Sequence, residues 1–138
     1  MIRSYGGVLI DARRRVLLRE PANHFGGVVW TFAKGQPDGG ETPPMAACRE
    51  VLEETGWVGA VIARLPGRFP GSHTVTEYFL MAPVRKVSKP GRETARIRWV
   101  GVGRAEMLIR LGENQPAVAR DLRVLATAFE TLARLAHA

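Results

Sequence analysis

Three glutamates lie close together on one predicted helix of a chain whose formal net charge is +7. Glu50, Glu53 and Glu54 belong to the segment 43–55, and at about 100° per residue their carboxylates share a wedge of roughly 100°. Arg49 alone accompanies them, although like charges at this spacing destabilise a helix by about 0.2–0.5 kcal/mol per pair. A hard divalent cation such as Mg²⁺ is held by carboxylates of this kind. The residues favour a metal site, and a solvated acidic helix face stays open as the alternative.

The loop before this helix, with the sequence KGQPDGGE (34–41), is able to bring backbone carbonyls and Glu41 close to the acidic face. It is not a P-loop, because no Gly-Lys-Ser/Thr ending is present. It is not an EF-hand loop either, because the alternating acidic ligands before the glycine are missing. The loop therefore supports a metal site without matching a standard phosphate or calcium motif.

The elements that must position this helix are those of a mixed α/β domain. Thr42 is suited to be the N-cap of the acidic helix, and Gly56 is suited to end it. Strands are predicted at 5–10, 15–20, 28–32, 58–65, 74–84 and 96–100, and further helices at 103–111 and about 114–136. The last helix carries an apolar stripe with steps of four and three residues: Val118, Leu122, Leu125, Phe129 and Leu132. The stripe favours core packing, with a dimer seam as the alternative.

Composition limits the class of protein. A chain of 138 residues with 46% hydrophobic and 24% charged residues is expected to form one globular domain. The start lacks the pattern of a signal peptide and no apolar run is long enough to span a bilayer, so a cytoplasmic protein is expected. Cys48 is the single cysteine and forms no internal disulfide. The excess of 20 basic over 13 acidic residues points to an anionic partner or to an arginine-rich proteome.

Residues 35–57 resemble the Nudix box, in which a glycine and a glutamate precede Arg-Glu-aliphatic-x-Glu-Glu-x-Gly-aliphatic at fixed spacing. The matching positions are Gly35, Glu41, Arg49, Glu50, Val51, Glu53, Glu54 and Gly56. Trp57 replaces the usual aliphatic residue at the last position, which affects local packing rather than chemistry. The order of strands and the final helix is also similar to a Nudix fold. The resemblance implies one Nudix hydrolase domain over residues 1–138, an α/β/α sandwich with a mixed sheet.

The resemblance further implies hydrolysis of a diphosphate linkage with Mg²⁺, or with Mn²⁺ as a substitute. Carried over by position, Glu50 and Glu54 are the principal metal ligands, and the Gly35 carbonyl is a further one. Glu53 is implied to be a ligand or the base that deprotonates the attacking water.

The resemblance also implies roles for residues around the metal site. Arg49 is implied to orient the carboxylates, and Glu41 to steady the junction of loop and helix. Members of the family differ in which glutamate is the base, and some use one from a later loop. Glu93 is the candidate here, with Glu77 second.

Two further stretches are similar to one Nudix subgroup, the diadenosine polyphosphate and diphosphoinositol polyphosphate hydrolases. WTFAKG (30–35) resembles their Trp-x-Phe-Pro-Lys-Gly, with Ala33 in place of proline, and it implies that Lys34 lies beside the phosphates. HTVTEYFL (73–80) resembles their His-x(n)-Tyr-Phe strand, which makes His73 and Tyr78 candidates for substrate contact, with the tyrosine stacking on adenine. A core tyrosine and a surface histidine stay open as the ordinary alternatives.

Six basic residues are candidates for the rim of a polyphosphate cleft: Arg64, Arg68, Lys86, Lys89, Arg92 and Arg96. If they converge, a substrate with several phosphates is favoured over ADP-ribose. The expected order is then a dinucleoside polyphosphate such as diadenosine tetraphosphate, followed by diphosphoinositol polyphosphate or other nucleoside polyphosphates, and then oxidised nucleoside triphosphates.

A function of a different class is a non-catalytic Nudix-fold module that binds RNA or a nucleotide. The intact glutamates argue against it, and the sequence shows no RNA-binding motif. A nucleic-acid or membrane partner is not expected, and the chain is expected to be a monomer or a homodimer.

Overall fold

The sheet that carries the site lies between helices on both faces. The computed structural model describes residues 1–137. Its strands are β1 Ile2–Leu9, β2 Val16–Pro21, β3 Ala33–Gly35, β4 Trp57–Arg64, β5 Phe69–Pro70, β6 Thr74–Lys86 and β7 Thr94–Val100, and its helices are α1 Pro43–Thr55, α2 Val102–Ile109 and α3 Gln115–Ala136. In the larger sheet the order is β3-β1-β6-β4, and β5 pairs with β6. β1 runs parallel to β6 and antiparallel to β3, so the sheet is mixed. β2 and β7 form a second, antiparallel pair.

Each face of the sheet has its own core. α1 packs against β1, β3 and β4, and α3 packs against β5, β6 and α2. Val51 and Met81 lie in the core beneath α1, whereas Leu18 and Leu80 lie in the core beneath α2 and α3. The predicted α/β/α sandwich with a mixed sheet is confirmed.

The apolar stripe of α3 belongs to the second of these cores. Val118 and Leu125 are buried, and Leu122, Phe129 and Leu132 pack against the same core as partly buried side chains. The stripe therefore serves core packing, as the spacing predicted.

The ends of α1 follow from local chemistry. The Thr42 hydroxyl accepts a hydrogen bond from the Met45 N–H at 3.4 Å, so Thr42 caps the first turn. Gly56 ends the helix with φ of 79°, a left-handed conformation that favours glycine. A side chain at Gly56 would also collide with the Ser88 carbonyl. The helix that carries the glutamates is therefore fixed at both ends.

The predicted strand at 28–32 is not a strand. Thr31 makes a single antiparallel bridge with Arg19, and β3 begins only at Ala33. Trp30 and Phe32 are buried, so the segment contributes side chains to the core without lying in a sheet. The prediction was wrong because alternating apolar residues indicate burial on one face, which an irregular segment also provides.

No helix within residues 1–137 combines the length and the apolar character needed to cross a membrane.

Candidate active site

Two glutamates of α1 face the end of β3. The side chains of Glu50 and Glu54 are only 13% and 8% exposed. The Glu50 carboxylate lies directly against Gly35, where an added Cβ would overlap it. The Lys34 N–H donates to Oε1 of Glu54 at 3.4 Å. The strand end and the helix therefore hold two carboxylates side by side, and the close approach requires glycine at position 35.

This arrangement carries an excess of negative charge. Burial, together with a hydrogen bond with the Glu50 carboxyl group, raises the pKa of Glu54 to about 9. The Arg19 guanidinium opposes this shift, with its Nη1 3.3 Å from Glu54 Oε1. A buried carboxyl group that resists ionisation beside another carboxylate indicates a site suited to a cation.

Arg49 ties the other acidic side chains together. Its Nε donates to Glu41 at 2.7 Å, and its Nη1 donates to Glu50 at 2.8 Å and to Glu53 at 3.2 Å. Its Nη2 donates to the Gln36 carbonyl at 3.0 Å. One guanidinium thus joins the loop before α1 to three glutamates, the geometry expected of a residue that orients carboxylates.

The donor set fits a hard divalent ion in part. Glu50, Glu54 and the backbone of Gly35 converge, and such an ion completes its shell with waters and substrate phosphates. Glu53 does not join them, because its side chain is 56% exposed and both of its oxygens lie 3.2 Å from Arg49 Nη1. Among residues 1–137, no group of three or more His, Cys, Asp or Glu side chains is arranged around one point. Two side chains, Glu50 and Glu54, would therefore hold such an ion.

A cavity of about 610 Å³ opens beside Glu54. This volume is typical of small-molecule sites. Its walls come from β2, the irregular segment after β2, β3, α1, the two loops that flank β6, and the start of α3. They combine apolar with charged and polar residues: Pro21, Ala22, Phe25, Gly26, Val28, Phe32 and Ala117 with Arg19, Thr31, Lys34, Glu54, Ser72, His73, Thr74, Arg92, Glu93, Asn114 and Arg120.

Three of the predicted substrate and base residues line this cavity. Lys34 is half-buried there, and burial lowers its pKa, as does the nearby Arg120. His73 and Glu93 contribute exposed side chains. Glu77, the second candidate for the base, does not line the cavity; its carboxylate pairs with Arg64.

Tyr78 lies in the core and does not line the cavity. Its side chain is fully buried, and its ring packs edge-on against Phe32 and Phe69 with centroid distances of 6.4 and 5.7 Å. The ring therefore has no exposed face on which adenine could stack, and the ordinary alternative of a core tyrosine describes it. The expectation failed because a strand pattern does not show which face a side chain occupies.

The predicted basic rim forms only at Arg92. Arg64 pairs with Glu77 instead, and Arg96 pairs with Glu20 at 2.8 Å. Arg68, Lys86 and Lys89 do not line the cavity either. Surface basic residues spread over several strands and loops do not converge on one site.

Two basic side chains of the cavity were not predicted, Arg19 on β2 and Arg120 on α3. Arg120 is buried with its neighbour Asp121. A signal for this pair exists in the sequence, because Asp121 stands three residues after Val118 and four before Leu125, on the apolar side of the helix. A charged residue in a buried stripe requires a partner.

Comparisons with known proteins agree with this architecture. A model of the NUDIX domain family matches residues 2–122. An 8-oxo-(d)GTP phosphatase of Mycolicibacterium smegmatis is 30% identical over 98 residues, 68% of this chain and 30% of that protein. A Bacillus subtilis protein provisionally named an 8-oxo-dGTP diphosphatase is 29% identical over 83 residues, 59% of this chain and 56% of its own length. The chain thus spans about a third to about half of the length of these relatives.

Solved structures show the same fold at low sequence identity. The NUDIX domain of Shewanella oneidensis NrtR, solved with ADP ribose, superposes with a TM-score of 0.73 at 19% identity and covers 96% of this chain and 88% of that one. A NUDIX hydrolase from Nitrosomonas europaea gives a TM-score of 0.70 at 21% identity, over 93% and 72% of the two chains. With the family model matching most of its length, this chain belongs to the Nudix family.

Proposed function

We propose that the chain is a metal-dependent pyrophosphohydrolase that cleaves a diphosphate linkage in a nucleoside triphosphate, with oxidised guanine nucleotides as the first candidates. The observation that carries this proposal is the pair of largely buried carboxylates, Glu50 and Glu54, of which Glu54 lines a cavity with cationic and apolar walls. The names of the two relatives, both of which refer to 8-oxo-guanine nucleotides, support this substrate class.

Mg²⁺ held by Glu50, Glu54 and the Gly35 carbonyl would act as a Lewis acid on the phosphate oxygens and lower the pKa of bound water. The protein's own groups do the rest. Lys34 and Arg92 neutralise the phosphate chain from the cavity walls, and this reduces the repulsion between the diphosphate and the attacking oxygen.

A carboxylate must accept the proton of the attacking water. Glu93 fits this role because it lines the cavity and its exposed side chain can reach a water bound there. Glu53 is the alternative base, and it would first have to leave Arg49. Arg49 holds Glu50 in place through the hydrogen bond at 2.8 Å. Phe25 is 84% exposed at the cavity and offers an apolar surface to the base.

A dinucleoside polyphosphate is the second candidate. It is favoured by the sequence WTFAKG, which places Lys34 in the cavity wall. It is ranked lower here because the predicted basic rim is not formed and Tyr78 is buried. An extended polyphosphate would require both to face the substrate.

A substrate panel with Mg²⁺ tests the proposal. The panel contains dGTP, 8-oxo-dGTP, dATP and diadenosine tetraphosphate, and the release of mononucleotide and of pyrophosphate or phosphate is measured. Glu54→Gln is expected to lower turnover by orders of magnitude, whereas Glu106→Gln, at an exposed position on α2, is expected to leave it unchanged. The proposal fails if the wild type hydrolyses none of these compounds, or if Glu54→Gln turns over normally. Tight, salt-sensitive RNA binding without hydrolysis would favour the non-catalytic class.

A further inference from the structure

A buried ion pair forms part of the cavity wall on the side of α3. The side chains of Arg120 and Asp121 are 6% and 1% exposed. Nε of Arg120 donates to Oδ1 of Asp121 at 3.0 Å, and Nη2 donates to Oδ2 at 3.3 Å. The Thr31 hydroxyl also donates to Oδ2, at 2.6 Å. Asp121 therefore accepts three hydrogen bonds and holds the guanidinium in one orientation.

Part of the Arg120 guanidinium makes no hydrogen bond to the described part of the protein. Within residues 1–137, Nη1 of Arg120 has no hydrogen-bond acceptor, while Arg120 itself lines the cavity. Nη1 lies 2.6 Å from the position that a Cβ on Gly71 would take, so a side chain at position 71 would displace it. Nη1 is not fully enclosed by the protein, so its N–H groups are accessible from the cavity. The acceptor for these N–H groups is therefore expected to come from the ligand.

The charge of the pair indicates which kind of acceptor this is. Asp121 neutralises Arg120, so the pair offers hydrogen-bond donors with little net charge. Lys34 and Arg92 also line the cavity, form no ion pair among residues 1–137, and suit phosphate. Phe32 and Ala117 supply apolar wall beside the pair. The wall around the pair thus fits a neutral, planar group with a carbonyl, such as a nucleobase.

We propose that Arg120 is a specificity-determining residue that donates to the 6-oxo group of a purine, with Asp121 as its positioning residue, so that the cavity prefers guanine-type bases to adenine. The inference rests on the proposed function, which supplies the nucleotide. Guanine and hypoxanthine present a carbonyl acceptor at this position, whereas adenine presents an amino donor. Adenine would set donor against donor, and Asp121 cannot receive the amino group because it is buried behind Arg120 and does not line the cavity.

The test compares dITP with dATP, because hypoxanthine and adenine differ in the group at position 6. The ratio of kcat/KM for dITP over dATP is measured with Mg²⁺ in the wild type, in Arg120→Met, in the double variant Arg120→Met/Asp121→Asn, and in Gly71→Ala. The double variant leaves no unpaired buried charge and keeps an acceptor for Thr31. Gly71→Ala moves Nη1 without changing any charge. Arg123→Met is the matched control, since Arg123 lies over the Phe69 ring at 5.2 Å and does not line the cavity.

We expect the wild type and the Arg123→Met control to prefer dITP by roughly 10- to 100-fold, the discrimination typical of a good side-chain contact to a base edge. The double variant and Gly71→Ala are expected to reduce this ratio to near one, mainly by lowering the value for dITP. Calorimetric binding of dIMP and dAMP to the metal-free variants is expected to change in the same way. A wild type without preference, or a preference that survives in the double variant, overturns the inference.

The binding measurement separates this inference from the proposed function. If no triphosphate is hydrolysed but dIMP binds more tightly than dAMP in an Arg120-dependent manner, the hydrolase proposal fails and the role of Arg120 stands. If hydrolysis is normal and neither ratio depends on Arg120, only the role of Arg120 fails. Thermal unfolding of each variant shows that it is folded, and the double variant carries the test if Arg120→Met alone does not fold.

Discussion

Replacing Glu54 with glutamine is expected to stabilise the metal-free protein at neutral and alkaline pH. The folded protein holds Glu54 with a pKa of about 9, above the ordinary 4.5, because burial and Glu50 disfavour the ionised form. Between these two values the folded state binds a proton that the unfolded state has released. Stability that is fully present below about pH 4.5 is therefore lost as pH rises towards 9. Glutamine is neutral throughout and avoids this loss.

The size of the effect follows from the number of pH units crossed. One proton changes the free energy of unfolding by about 1.4 kcal/mol per pH unit, so a rise from about pH 5.5 to 8.5 removes up to about 4 kcal/mol. For a domain of this size that corresponds to a fall in Tm on the order of 10 °C. A divalent ion that binds only the folded state reverses the fall, by about 2.7 kcal/mol at a concentration of roughly 100 times its Kd.

Urea denaturation in EDTA at several pH values measures how the unfolding free energy of the wild type and of Glu54→Gln changes with pH. The contributions of groups away from Glu50 and Glu54 cancel in the difference. The difference in unfolding free energy is expected to widen with pH, and Mg²⁺ is expected to raise the stability of the wild type only. Glu53→Gln is the matched control because Glu53 is largely exposed beside Arg49. If the unfolding free energies of the wild type and Glu54→Gln change in parallel with pH, burial does not disfavour the ionised form of Glu54. The reasoning is then refuted.

Further predictions concern the groups around Glu54. Gly35→Ala is expected to push the Glu50 carboxylate out of place and weaken Mn²⁺ binding at least tenfold in calorimetry, while α1 stays folded by circular dichroism. Glu93→Gln is expected to lower kcat by roughly 100-fold or more with little change in KM, as removal of a general base does. Glu77→Gln is expected to leave kcat within a fewfold of the wild type. The reverse pattern would assign the base to Glu77. Arg49→Lys is expected to speed amide hydrogen exchange in the loop before α1 and to reduce turnover, because an ammonium group cannot reproduce the forked contacts of the guanidinium; unchanged exchange would contradict this role.

The sequence was sufficient to predict what depends on local chemistry. The helix from 43 to 55 and its ends follow from a capping threonine and a glycine with a left-handed conformation. The approach of Gly35, Glu50 and Glu54 follows from fixed spacing within one loop and one helix. The strand at 28–32 was wrong because burial and sheet pairing have the same apolar pattern. For the same reason the pattern around Tyr78 did not reveal that the ring faces the core.

Contacts between segments that are distant along the chain could not be predicted from the sequence. Arg120 reaches the cavity only because α3 packs across the sheet beside β5, where Gly71 admits its guanidinium. Arg19 reaches Glu54 because β2 passes the end of α1, a relation that no spacing encodes. The predicted basic rim failed in the same way, since charge in a sequence shows composition and not convergence.

Glu54 and Arg120, the two buried ionisable groups of the cavity, have different partners. This difference suits Glu54 to cation binding and Arg120 to selection of the base. Glu54 is buried with another carboxylate and lacks a full counter-charge, so a cation bound there would stabilise the site. Arg120 is buried with a carboxylate that neutralises it, so it needs no ion and offers only directed hydrogen bonds. Breaking a buried pair by removing one partner leaves an unpaired charge that costs several kcal/mol, whereas replacing both partners costs far less. Substitutions that change the base preference are therefore expected to be tolerated in pairs at Arg120 and Asp121, while the acidic centre on α1 admits no such exchange without loss of the metal.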